Sequence, residues 1–128
     1  MTKEIILDTN FLVAPFQLSI SLFEDIEELY PFAEIYTIDD AVEESKSIKS
    51  GKYGDLVEKL IDTQGIKVLE TEGEGSVDDL LVKLSDEYIV ATNDKELKQR
   101  VLDRNNPVMI IRSRSHLEVV KGREHDLG

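Results

Sequence analysis

Cysteine and tryptophan are both missing from this 128-residue chain. Without thiols there can be no disulfide, no zinc–thiolate site and no cysteine nucleophile. Histidine is nearly as scarce. The only two, His116 and His125, fall in the polar C-terminal stretch and read as solvent-exposed rather than catalytic. No apolar run approaches the roughly 20 residues needed to cross a bilayer. The start, Met1-Thr2-Lys3-Glu4, leads straight into an apolar run without a signal-peptide pattern. A cytoplasmic protein with no membrane partner is the expectation. Cations are also short: 15 Lys and Arg face 27 Asp and Glu, a net charge of −12. That argues against a general nucleic-acid-coating role, which needs clustered positive charge.

What remains suits one folded domain. The chain is 41% hydrophobic and 33% charged, enough for a single core and too apolar for a disordered acidic segment. The charge is uneven. Residues 1–91 carry a balance of −14 and residues 92–128 a balance of +2. The later cations, among them Lys95, Lys98, Arg100, Arg112 and Arg114, suit a basic stripe beside an acidic site.

Short Ile/Val-rich runs alternate with helical periodicities. Strands are expected at Glu4–Leu7, Glu34–Ile38, Ile66–Leu69, Tyr88–Ala91 and Val108–Ile111. Helices are expected after Pro15 up to Tyr30, over Ala41–Ile48, around Leu56–Ile61, from Ser76 to Leu84 and over Lys95–Leu102. Glu70–Gly75 reads as a solvated loop. This pattern implies an α/β fold, a three-layer sandwich with a central parallel sheet of four to five strands flanked by helices. The domain is expected to span residues 1–112, with 113–128 as a polar tail in which Leu117, Val119 and Val120 are docking points. In such sheets ligands sit beyond the carboxyl ends of the strands, where strand order reverses.

Four acids fall at that end. Asp8 follows the first strand, Glu44 lies in the helix after the second, Asp78 opens the helix after the third, and Asp94 follows the fourth. Each has a plainer reading. Asp8 and Asp94 suit helix caps, Asp78 and Asp79 complement a helix dipole, with Ser76 and Asp79 as a capping pair, and Glu44 suits a solvated helix face. The joint pattern tells more than any one member. Gathered carboxylates raise each other's pKa unless a cation intervenes, and oxygen ligands suit hard ions such as Mg²⁺ or Mn²⁺. Such an ion can polarise a phosphate and lower the pKa of bound water.

These stretches together resemble the PIN domain nucleases. Ile5-Ile6-Leu7-Asp8-Thr9-Asn10 is similar to the family's opening motif, and Ile38-Asp39-Asp40-Ala41-Val42-Glu43-Glu44-Ser45 to its second, with Ser45 where an apolar residue is usual. Ser76-Val77-Asp78-Asp79-Leu80-Leu81 resembles the third. The fourth is matched by Ile89-Val90-Ala91-Thr92-Asn93-Asp94-Lys95-Glu96-Leu97. The last two look most like the small-subunit-processome branch, which cleaves pre-ribosomal RNA; VapC-type toxins share the fold. The resemblance implies metal-dependent RNA hydrolysis around Asp8, Glu44, Asp78 and Asp94, supported from behind by Asn10, Thr92 and Asp79. Lys95, Lys98, Arg112 and Arg114 would contact RNA phosphates. It also implies a ribosome-assembly or antitoxin partner, and a two-fold homodimer.

The rivals are a phosphatase of the HAD class, a phospho-accepting receiver and an inactive PIN-like binding module. The first needs a second Asp two residues after Asp8, where Asn10 stands. The second lacks its acceptor after the third strand. No phosphate-binding Gly-Lys-Ser/Thr loop occurs.

Overall fold

The computed structural model describes residues 3–72 and 75–122. Within them a six-stranded sheet is flanked by six α-helices. Strands are β1 (Glu4–Leu7), β2 (Glu34–Ile38), β3 (Lys67–Leu69), β4 (Ile89–Ala91), β5 (Val108–Arg112) and β6 (His116–Val120). Helices are α1 (Thr9–Gln17), α2 (Leu22–Leu29), α3 (Asp39–Ser47), α4 (Gly54–Gln64), α5 (Val77–Leu84) and α6 (Lys95–Asp103), with a 3₁₀ turn over Ile48–Gly51.

The sheet order is β3-β2-β1-β4-β5-β6, parallel throughout except for the β5–β6 pair. β1 is central because it can afford to be: Ile5, Ile6 and Leu7 are fully buried, as a strand covered on both faces requires. Leu7 stands level with Thr37 of β2 on one side and with Ala91 of β4 on the other. Successive strands run outward from β1 to β2 and β3, and the chain then returns to start β4 on β1's other flank. Strand order therefore reverses between β1 and β4, and a ligand crevice is expected beyond their carboxyl ends.

The sequence reading needs correction at two places. The single helix expected after Pro15 up to Tyr30 is two helices: α1 starts at Thr9, runs through that proline and ends at Gln17, and α2 begins only at Leu22. An interior proline costs about 3 kcal/mol. Burying Phe11, Leu12 and Val13 stabilises by roughly 1.5–3 kcal/mol each, so packing wins. Second, the supposed tail from residue 113 turns at Ser113–Ser115 and returns as β6, antiparallel to β5, from Arg112↔His116 to Val108↔Val120. Leu117, Val119 and Val120 pack against the core there. His116 is exposed, whereas Arg123 and His125 lie outside the described residues. No helix among the described residues is long and apolar enough to cross a membrane.

Candidate active site

Asp8 occupies the reversal point itself. Its N–H extends the sheet by donating to Ala91 O at 3.0 Å, and only 5% of the residue is exposed. A carboxylate so buried needs partners. Oδ1 accepts from the Thr9 N–H at 2.7 Å, and Oδ2 accepts from the Thr92 hydroxyl at 2.6 Å. Thr92 is fully buried and works in both directions, because its Oγ1 also accepts the Asp94 N–H at 3.0 Å. One hydroxyl thus fixes the two acids on either side of the crevice.

Asp94 caps α6, its Oδ1 accepting from the Leu97 N–H at 2.9 Å. Its second oxygen has no partner among the described residues, so capping leaves half the carboxylate for other work. The preceding loop is clamped by Asn93. Its side-chain amide donates to Ile111 O and accepts from the Ile111 N–H, both at 2.8 Å, imitating one more rung of sheet.

Asp78 lies in the first turn of α5, half-buried. Burial raises its pKa most, Asp94 adds to the rise, Arg100 opposes it, and Glu44 and Glu96 raise it further. Asp8 is also raised, chiefly by burial. The hydrogen bonds from Thr92 and Thr9 pull it back, while Asp78 and Asp94 push it up. Asp8, Asp78 and Asp94 therefore share one electrostatic field, and Glu44 enters it through Asp78.

The placement of Glu44 rather than Glu43 follows from its neighbours. Ser45 is fully buried and its hydroxyl donates to Val42 O at 2.7 Å, so the serine fills the inward position. Glu43 lies 3.6 Å from Lys46 in an ion pair, whereas Glu44, exposed, acts on Asp78.

Fit to a metal can be judged from these donors. All four are hard oxygens, and none makes an ion pair among the described residues. Thr9 Oγ1, on the residue next to Asp8, is buried with no hydrogen-bond partner among the described residues. Among the described residues no group of three or more His, Asp or Glu side chains is gathered tightly enough to hold a metal by itself. The donor set itself is of the kind hard divalent cations take, to be completed by waters and substrate phosphates.

Residues 5–114 match the PIN like domain family. The chain belongs to that family. Ribonuclease VapC4 of Methanocaldococcus jannaschii is 30% identical over 125 residues, covering 91% of this chain and 95% of that protein. The PIN domain endonuclease Utp24 has a similar structure, with a TM-score of 0.76 at 27% identity over 93% of each chain.

The other expected residues of this PIN-like domain divide. Thr92 bonds to the Asp8 carboxylate and to the Asp94 N–H. Asn10 is exposed and its side chain bonds to neither Asp8 nor Asp94 among the described residues. Asp79 bonds to none of these acids among the described residues and holds Arg100 at 2.9 Å. Of the cations, Arg112 is tied to Glu118 across the β5–β6 hairpin. Lys95, Lys98 and Arg114 have no ion-pair partner among the described residues.

Asn93 and Glu96 have no assigned role in the sequence pattern, and Arg100 figures there only as part of the basic stripe, not as the partner of Asp79. Asn93 pairs with β5 backbone 18 residues away. Arg100 meets an acid 21 residues away. Local spacing carries no sign of such contacts. Glu96 was detectable as an acid in the first turn of α6.

Proposed function

We propose that this PIN-like domain is a divalent-metal-dependent endoribonuclease, with Asp8, Asp78 and Asp94 holding Mg²⁺ or Mn²⁺ and Glu44 completing the pocket. One observation carries the reading. A buried carboxylate at the strand-order reversal shares its field with two others, and among the described residues no cationic side chain makes an ion pair with any of them. The names of the two relatives, a ribonuclease and an endonuclease, support RNA cleavage.

A bound divalent ion would supply stabilisation of phosphate charge and a water of lowered pKa. The chain's own residues do the rest. Thr92 and the Thr9 N–H hold Asp8 in one orientation, and the Thr92–Asp94 contact fixes the spacing across the crevice. Asp94 presents its second oxygen. Glu44, exposed at the rim, orients water. Lys95, Lys98 and Arg114 neutralise flanking phosphates on a molecule otherwise repulsive to RNA.

Purified protein is expected to cleave RNA with Mg²⁺ or Mn²⁺ and to stop in EDTA. Losing a group behind a ligand costs roughly 10–100-fold, so Asp8→Asn, which removes a ligand, should cost more. A variant as active as the wild type rejects the assignment, and a protein that neither cleaves RNA nor binds Mn²⁺ is a binding module instead.

The substrate in this proposal is ribosomal RNA, on the likeness of the α5 and β4 motifs to the processome branch, with a ribosome-assembly partner. The VapC4 identity favours a second reading, a toxin-type ribonuclease with an antitoxin partner. Expression of wild type but not Asp8→Asn arresting growth supports the toxin; cleavage of a ribosomal precursor at one place supports processing. The protein is proposed to act in the cytoplasm as a two-fold homodimer, which light scattering tests.

A further inference from the structure

One face of helix α1 lines an open groove of about 240 Å³. The floor is apolar: Phe11, Ala14 and Ile111 line it and are at most 7% exposed. Gln17 at the end of α1, the following Leu18 and Arg114 of the β5–β6 turn also line it. Ala14 and Gln17 share a helix face with Asn10, at the i, i+4, i+7 spacing. The small Ala14 side chain leaves a slot between the two amides.

The groove borders the chain segments that carry two of the carboxylates. Asn10, two residues past Asp8, and Asn93, one before Asp94, both line it. Asn93's amide is consumed by Ile111, so it forms wall rather than reader. The Gln17 amide has no hydrogen-bond partner among the described residues, and Arg114 no ion pair. An apolar floor, an unengaged amide and an unengaged guanidinium match three parts of one ligand: the face of a base, its hydrogen-bonding edge and its phosphate.

We propose that this groove is a nucleotide subsite for single-stranded RNA, receiving an unstacked base over Ala14 and Ile111. Gln17 reads the base edge and Arg114 contacts the adjoining phosphate. The proposal rests on the RNA-cleaving reading of the carboxylates and adds the side from which the strand enters. Its volume of about 240 Å³ suits one base and not a duplex, and the net charge of −12 gives a wrapped duplex little to hold.

The test is binding, so that it does not depend on cleavage. A fluorescein-labelled, mixed-sequence RNA decamer carrying 4-thiouridine is titrated, single-stranded and as a duplex, into the full-length Asp8→Asn chain. Gln17→Glu and Arg114→Glu are then added to that chain singly, with Lys52→Glu as a remote charge control. Loss of one well-formed base-edge contact is worth roughly 5–150-fold. Each groove variant is expected to weaken single-strand binding at least about fivefold, Lys52→Glu less than about twofold, with crosslinks on residues 10–18. Should the wild type cleave no RNA while the decamer still binds and crosslinks there, the subsite stands and the nuclease reading falls. Unchanged affinity in both groove variants, crosslinks elsewhere, or no decamer binding overturns the subsite, whether or not the protein cuts RNA; a peptide competing for the groove would then be its occupant.

Discussion

Thr92 shows how much one buried hydroxyl can organise, since it donates to Asp8 and accepts from the backbone of Asp94. Thr92→Val preserves shape and removes both contacts. Cleavage is expected to fall roughly 10–100-fold, as for groups behind metal ligands, with Thr92→Ser restoring most of it; an undiminished valine variant would show the contacts to be incidental. Arg100, held by Asp79, lowers the pKa of Asp78. In Arg100→Gln that pKa rises, so the acid limb of Mn²⁺ affinity should move to higher pH. Asp8 and Asp78 are both raised in the fold. Their protonation therefore favours the metal-free folded state as pH falls through the folded-state values, and that contribution disappears as pH rises through them. Asp79 and Asp86, held low by Arg100 and Arg104, act in the opposite sense. Asp78→Asn is accordingly expected to raise the melting temperature in EDTA at neutral pH, and a lower value would contradict the repulsion described.

At the scale of elements, legibility followed locality. All five parallel strands were visible as short apolar runs, and Ser76 and Asp94 as caps, because those signals reside in adjacent residues. Asp8, Asp78 and Asp94 were readable for the same reason: each stands at a strand end or a helix start. α1 was hidden by Pro15, whose local penalty is outweighed only by the sheet it packs on. β6 was hidden because its mixed residues make sense only opposite β5. Pro15→Ala restores a backbone donor in mid-helix and is expected to raise the melting temperature by a few degrees. Gly122, just after β6, does the reverse: a Cβ there would lie 2.8 Å from Asn105 Cα and 3.1 Å from Leu102 O. Gly122→Ala should destabilise by about 1–3 kcal/mol in urea titration; a neutral outcome would mean the strand's end can move away from α6.

For the molecule as a whole, the order β3-β2-β1-β4-β5-β6 makes distant segments meet at one pole. Like charges delivered there oppose folding unless something offsets them, and an ion bound only by the native state stabilises it through mass action. At 100 times its dissociation constant that gain is about 2.7 kcal/mol. Mn²⁺ should therefore raise the melting temperature of wild type and leave Asp8→Asn nearly unmoved. The most direct test is the anomalous difference map of a crystal soaked in Mn²⁺. A peak is expected in the crevice between β1 and β4, in contact with Asp8 and at least one of Asp78 and Asp94. A map empty there, with the ion elsewhere or absent at saturating Mn²⁺, would contradict the account.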